Sequence, residues 1–418
     1  MKTSGIIAGV AVAALSLGLV GCTPSAPDKT TLNVLTLMTA DTPEGKIQAD
    51  VIAAFEKKTG IKVNLTVATD DIPEVYETST VGGKEADVVI SNLAEKSVDW
   101  AKNGIVVPVN DYLDDWGLTD KIKPDAIKEW TNADGDISGF PYRGFVWPVW
   151  YNMDLLEQAG VDEIPTTTDE LIDVAGKLRD AGIAPVVTGG NDWSGQKMFL
   201  QIIQSYMTPE QAQTLFAGGN FCGDANAMKG IKLFTKLRDA GVFIDDVEGY
   251  SADQMTATFY EGKAAIMSSG DWGFAGTPAD LNVKLGGFPV PSGGEYDKPT
   301  ALSGFTANGF MISDNGVKKI DIVKQFITAF YAPDVAGRFV SEANTSTAVL
   351  FDKPVEISNP LLMQATNDLP DSTVFAVMPD AFVPGPVADP MIRQTSVAFA
   401  PGTDADAICA ALDSVYPQ

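Results

Sequence analysis

The 418-residue sequence contains no histidine, so the commonest general base at neutral pH and the commonest metal ligand are both missing. Ser-His-Asp, Cys-His and HExxH chemistries are excluded. Carboxylate pairs, lysine or tyrosine are what remains for catalysis. Basic residues are also scarce: 29 Lys and Arg stand against 55 Asp and Glu, a formal net charge of −26, which repels phosphate backbones and anionic membrane surfaces. Nucleic acid is therefore not expected as a partner. Cysteine is limited to three residues. Two of them, Cys222 and Cys409, leave a disulfide bond and a pair of buried thiols both open, because sequence alone does not fix the distance between their Cα atoms. Charged residues at 20% against apolar residues at 45% describe a folded chain. At roughly 150 residues per domain, the length predicts two or three domains.

Long hydrophobic runs are few. Ile6 to Val20 is uncharged and follows the positive Lys2; it is short for a membrane span and suits a targeting segment. It ends in "LVGC", Leu19 to Cys22, which resembles a bacterial lipoprotein signal. The resemblance implies a signal peptide over 1–21, cleavage before Cys22 and diacylglycerol on its thiol, with several acyl chains making the attachment stable. The polar, Pro-containing stretch 22–31 then reads as a tether.

From Leu32 onward strand and helix alternate. "LNVLTL" is a short apolar strand, and the next segment predicts a helix capped by Thr42, opened by Pro43, carrying Ile47, Val51 and Phe55 at every fourth position and closed by Gly60. "IKVNLTVA" alternates with period two, so Ile61, Val63, Leu65 and Val67 are expected on one half-buried face. "ADVVI" is apolar after Asp87, as in a sheet covered on both faces. Further helices are expected near 169–181, 196–207, 225–240 and 252–261, with strands at "APVVT" and "AAIM". Pro- and Gly-rich bridges at 133–141, 289–299 and 341–349 predict a chain that passes between two lobes three times.

These segments carry a resemblance. "FEKKTGIKV" (Phe55 to Val63), "ADVVISN" (Ala86 to Asn92), "FPYRGFVWPVWYNMDLLEQAG" (Phe140 to Gly160) and "FYEGKAAIMSSGDWGF" (Phe259 to Phe274) occur in order, and the chain resembles the extracellular sugar-binding proteins of bacterial ABC importers, the maltose-binding-protein class. The resemblance covers nearly the whole mature chain. It implies an α/β, two-lobed periplasmic-binding-protein-like fold of type II, with a three-segment hinge and a ligand cleft between the lobes. One lobe would comprise 32–138 and 292–345, the other 139–291 and 346–418. The implied protein is a monomer without enzymatic activity or cofactor, held at the extracellular face of the membrane through its lipid alone. It would capture a carbohydrate, an oligosaccharide given the number of aromatics, and deliver it to ABC permease subunits. A glycoside-active enzyme and a peptide or polyamine binder on the same fold are the alternatives. No metal is expected: without histidine, and with Cys22 lipidated, a site would have oxygen ligands alone.

A sugar presents hydroxyl edges and apolar C–H faces, so its site needs aromatic platforms together with carboxylates, amides or arginine. Asp41 follows the first strand and Asn92 the third, each readable as a ligand or as a cap or turn residue. "GFPYRGFVWPVWYN" packs six aromatics and an arginine into fourteen residues. Read as one strand from Pro141, it puts Arg143, Phe145, Trp147 and Val149 on one face and Tyr142, Val146 and Trp150 on the other. Phe145 and Trp147 are expected in the cleft, Trp150 and Tyr151 in the core. Phe145 occupies the family's site position four residues past that proline, where many members carry a polar group; stacking is then implied in place of a hydrogen bond. Asp192, Trp193 and Gln196 stand at a loop tip that opens a helix, and Asp271 and Trp272 follow the "AAIMSSG" strand. Ser303 and Phe305 complete the candidates.

Overall fold

The computed structural model describes residues 30–68, 72–92, 99–302 and 306–417; Cys22, Ser303 and Phe305 lie outside the described residues. Among the described residues the strands are β1 (Thr31–Thr36), β2 (Lys62–Val67), β3 (Val88–Asn92), β4 (Phe140–Arg143), β5 (Val149–Asn152), β6 (Ala184–Val187), β7 (Ala264–Ser268), β8 (Val283–Gly286), β9 (Thr300–Leu302), β10 (Asn308–Ile312) and β11 (Val374–Ala376). They pair as β2-β1-β3-β10-β4, as β6-β7-β5-β8 and as β11-β9. In the first sheet β1 runs parallel to β2 and β3, and β10 antiparallel to β3 and β4. In the second, β6 and β7 are parallel and β5 is antiparallel to both of its neighbours.

The two larger sheets have packed side chains on both faces, and the period of two sorts them into separate cores. Leu32, Val34, Val88 and Ile90 pack with Ile47, Val51 and Phe55 of the Pro43–Thr59 helix. Their neighbours Leu35, Val89 and Met311 enter a different cluster, with Tyr76 and Trp100. In the second sheet Val149, Tyr151 and Ile266 face one core, and Trp150, Met267 and Leu285 the other. The first helix ends as its sequence predicts. The Thr42 hydroxyl accepts from Gly45 N at 3.1 Å, and Gly60 closes the helix at φ 73°, a left-handed conformation that an L side chain adopts only with strain. The β2 expectation is only partly met: Val63 packs on the core, but Leu65 and Val67 are exposed, because β2 is an edge strand and the helix covers only its beginning.

The expected single strand from Pro141 is instead two strands in different sheets. β4 pairs with β10 in the first, β5 with β7 and β8 in the second, and 144–148 crosses between them. Gly144 marks the break: a Cβ there would sit 2.5 Å from Thr347 N, so only glycine lets the crossing segments touch. Gly144 N donates to Ser346 O at 2.9 Å and Ala307 N to Arg143 O at 2.8 Å, which lays three crossings side by side as a hinge. Trp150 and Tyr151 are fully buried, and their polar tips donate to Ser269 O and Gly287 O, each at 2.9 Å. Cys222 and Cys409 form a disulfide across 187 residues.

Candidate functional site

The four aromatic candidates among the described residues meet. Phe145 and Trp147 come from the first crossing, Trp193 opens the Trp193–Ile203 helix after β6, and Trp272 follows β7. Trp147 forms the floor: it is buried, its Nε1 donates to Ser268 Oγ at 2.8 Å, and its backbone N donates to Leu302 O at 2.8 Å. Trp193 and Trp272 meet Trp147 edge-on, with centroids at 5.6 and 5.1 Å and interplanar angles of 89° and 75°. Phe145 lies closer to parallel with Trp272, 5.9 Å away at 24°. Trp193 and Trp272 remain 36% and 40% exposed. An indole left that open forgoes roughly 2 kcal/mol of burial, at about 25 cal/mol per Å². The folded chain gains nothing from this exposure, whereas a ligand with an apolar face would.

Polar groups ring this floor. Lys197, one helical turn after Trp193, is buried with its Nζ 5.3 Å from the Trp147 ring centroid and 5.1 Å from that of Trp193, a cation–π geometry. Gln196 is buried beside it, and its Nε2 has no hydrogen-bond partner. Tyr296 and Met378 pack against the Trp147 cluster. The Tyr296 hydroxyl is likewise unpartnered, and burial, then Glu295 and Glu210, push it up to about 12.

A charged trio completes the arrangement. Arg143, at the end of β4, is buried between Glu44 of the first helix and Asp271. Its Nη1 lies 3.0 Å from Glu44 Oε1 and its Nη2 3.6 Å from Asp271 Oδ1. Neither contact is aligned as a hydrogen bond: Glu44 Oε1, Arg143 Nε and Nη2, and Asp271 Oδ1 are all buried without one. Asp271 Oδ2 accepts from Ser346 N at 3.2 Å. Burial raises the Asp271 carboxyl above its ordinary range, and Arg143 opposes the shift.

The remaining candidates behave differently. Asp41 is exposed ahead of the cap Thr42, and the Thr39 side chain, then its own backbone, hold its carboxyl below the ordinary range. Asn92 is exposed at the end of β3, in register with Asn308. Asp192 leaves the site. Its Oδ1 accepts from Ser194 N at 2.9 Å and from Ser194 Oγ at 2.7 Å, and its Oδ2 accepts from Ala252 N, so both oxygens serve helix and loop. Glu44, Lys197, Tyr296 and Met378 were not among the candidates. A lysine four residues after Trp193 on a helix was the one signal available.

A cavity of about 670 Å³ also opens beside the crossings, lined by Phe145, Thr347, Leu362, Met363 and Phe375 among others. Trp193 and Trp272 do not line it, and none of its lining side chains carries an unpartnered buried polar atom among the described residues. The cavity shares Phe145 with the aromatic cluster and is lined by Phe375, itself 42% exposed; what it lacks is the cluster's buried polar atoms without hydrogen bonds.

Known proteins share this architecture. Residues 40–337 match the family described as bacterial extracellular solute-binding protein. A "Probable sugar-binding periplasmic protein" of Rhizobium meliloti is 29% identical over 191 residues, 45% of this chain and 45% of that protein. The "Fructooligosaccharide ABC transporter substrate-binding protein" of Streptococcus pneumoniae is 24% identical over 350 residues, 75% of this chain and 63% of that protein. Both matches span less than two thirds of the relative. Among solved structures, a "probable secreted solute-binding lipoprotein from Streptomyces coelicolor" is 41% identical with a TM-score of 0.81, over 94% of this chain and 99% of that one. A "Chitin oligosaccharide binding protein" at 24% identity has the same fold, with a TM-score of 0.80 over 92% of this chain and 97% of that one. By family match and by fold, the chain belongs to the bacterial extracellular solute-binding proteins.

Proposed function

We propose that this protein is the capture subunit of an ABC importer, binding a carbohydrate of more than one ring between its lobes and delivering it to membrane permease subunits. The observation that carries the reading is the set of four aromatic rings, two of them more than a third exposed, bordered by buried polar atoms without partners. Rings stack on C–H faces, and the polar atoms meet hydroxyls. Relatives whose names specify sugars support the class. The protein acts without a chemical step: it holds its ligand and releases it unchanged. It is a monomer anchored at the extracellular face through lipid on Cys22.

Strand pairing supports lobe limits other than 139 and 292. Phe140–Arg143 pairs in the first sheet, whereas Thr300–Leu302 pairs with β11 and, at Leu302, with Trp147. The lobes are then 30–143 with 308–349, and 149–302 with 350–417. Incubation with a labelled oligosaccharide panel tests the function. Stoichiometric retention of intact sugar is expected, turnover would make the protein a glycoside-active enzyme, and retention of peptides or polyamines in place of sugars would change the ligand class.

A further inference from the structure

We propose that the cavity beside the crossings is a second compartment of the site, and that it takes an apolar aglycone, of phenyl size or larger, attached to the sugar that stacks on the aromatic cluster. The inference rests on the carbohydrate reading above and goes beyond it by making the ligand an amphiphilic glycoside.

The two compartments meet at Phe145. Its ring lies 5.9 Å from that of Trp272 at 24°, and the same residue lines the cavity. A sugar seated on the cluster therefore borders the cavity, and a substituent on that sugar can turn into it. The walls come from both sides of the hinge: Lys123 precedes the Pro124–Glu129 helix, Gly144 and Thr347 belong to the crossings, and Leu362, Met363 and Phe375 follow them in the second lobe. The volume of about 670 Å³ falls within the roughly 300–1,000 Å³ usual for sites that bury a small organic molecule.

The lining selects the occupant. No Asp, Glu or Arg lines the cavity among the described residues, although the chain has 55 acidic residues; the charged partners that suit a hydroxyl-rich ring are absent. Most of its polar side chains are engaged by the chain itself. Thr345 Oγ1 donates to Phe339 O at 2.9 Å, Thr366 Oγ1 to Leu362 O at 2.7 Å and Lys123 Nζ to Thr347 O at 2.7 Å, while Thr347 Oγ1 accepts from Val349 N at 2.9 Å. Ser346 and the exposed Asn367 complete the polar lining. Met363 and Phe375 face the cavity while 41% and 42% exposed. Single exposed apolar residues are ordinary, but these two come from different elements and line one cavity. An apolar group covering them is favoured in proportion to the area removed from water, whereas sugar hydroxyls would lose water there and gain few partners.

The wall that carries Met363 is also distorted. Gln364–Asp368 is a π-helical turn that places Ala365, Thr366 and Asn367 along the cavity, a departure from α geometry that recurs at functional sites. Gln364 fixes it to the edge strand β8: its Oε1 accepts from Leu285 N at 2.9 Å and its Nε2 donates to Val283 O at 3.2 Å.

Thermal-shift screening of the wild-type protein with the methyl and phenyl glycosides of maltose, cellobiose, xylobiose and N,N′-diacetylchitobiose selects the disaccharide that stabilises most. Calorimetry then compares its methyl form, its phenyl form and the methyl glycoside of the corresponding trisaccharide. The phenyl form should bind about 10- to 100-fold more tightly than the methyl form, the worth of burying a phenyl-sized group. In Met363→Asp and Phe375→Asp that preference should fall below about threefold, because the aglycone would then strip water from a carboxylate. The preference is a ratio within one protein, so a general loss of affinity cancels. Both substitutions replace exposed side chains on different elements, and melting of the unliganded variants checks folding. Methyl and phenyl affinities within about threefold of each other in the wild type overturn the aglycone assignment and leave carbohydrate capture intact. A phenyl preference that survives in both variants puts the phenyl group outside the cavity and also overturns it. A gain from the third sugar ring that the two substitutions abolish, without any gain from phenyl, gives the cavity to sugar and overturns it as well. Failure of every glycoside to stabilise the protein sinks the carbohydrate reading and this proposal with it.

Discussion

Truncating Trp272 to alanine should separate a binding platform from a core residue in a single mutant. The ring is 40% exposed, and its covered part rests on Phe145, Trp147 and Trp193, side chains of the same cluster. About 150 Å² of covered surface would be worth at most ~4 kcal/mol at 25 cal/mol per Å², less against a realistic unfolded chain. Because the site opens to solvent, Phe145 and Trp193 can settle into the vacated volume, and the loss in unliganded stability should fall to about 1–2 kcal/mol. For a lobe of this size that is a fall of roughly 2–8 °C in melting temperature. Binding should suffer more: an aromatic stacked on a sugar in a closed, dehydrated cleft is expected to be worth about 2–4 kcal/mol, or roughly 30- to 1000-fold in affinity. Isothermal calorimetry measures the second quantity and scanning calorimetry of the free protein the first. Affinity within about threefold of wild type, combined with the 3–5 kcal/mol stability loss typical of a truncated core tryptophan, would refute the platform.

Three other outcomes are expected. Small-angle scattering should show the radius of gyration falling when a bound sugar is added, because a site divided between lobes favours the closed form only if it binds that form more tightly; identical curves at saturation count against closure. Replacing Cys22 with alanine should release the protein in soluble form or leave it unprocessed, and membrane recovery unaltered by that change would exclude lipid anchoring. Asp271 gives a pH dependence. Its folded carboxyl lies above the ordinary value of 3.8 because burial disfavours its charge, so the native state binds the proton more tightly than the unfolded one. Ionised Asp271 then lowers stability at neutral pH, and that penalty lifts as pH falls through the raised value towards 3.8. The unliganded Asp271→Asn protein should melt above wild type at pH 7, with the difference shrinking towards pH 4; a difference that grows on acidification contradicts the assignment.

Most of the fold was legible because its signals are local. Thr42, Pro43 and Gly60 bound the first helix by capping chemistry that needs no tertiary partner, and the helices expected near 169–181 and 225–240 form at Thr168–Asp180 and Ala225–Asp239. The crossing at 144–148 was harder. Alternation continues through Tyr142, Val146 and Trp150, so periodicity alone reads 141–150 as one strand. The break depends on Gly144 meeting Ser346 and Thr347, residues two hundred positions away in sequence. A glycine inside an alternating run is a weak local signal for such a contact.

The site divides along the same line. Tryptophans at strand ends and at a loop tip were legible because an exposed indole is costly and needs a reason, and the four aromatic candidates among the described residues meet in one cluster. Glu44 was not legible. An acidic residue in the first turn of a helix already has a sufficient local explanation in the helix dipole, and nothing in "DTPEGK" suggests an arginine 3.0 Å from it. Lys197 is similar: a helical lysine reads as a solvated surface residue until Trp147 and Trp193 are found beneath its ammonium group. Asp192 is the converse case, a residue whose local role as a cap uses both of its oxygens and leaves nothing for a ligand. What distinguishes Glu44 and Asp271 from Asp192 is hydrogen-bond accounting. Asp192 is hydrogen-bonded through both oxygens by its own chain, whereas Glu44 and Asp271 each retain a buried oxygen that has an ion pair to Arg143 but no hydrogen bond, and that difference appears only once the fold has brought the two lobes together.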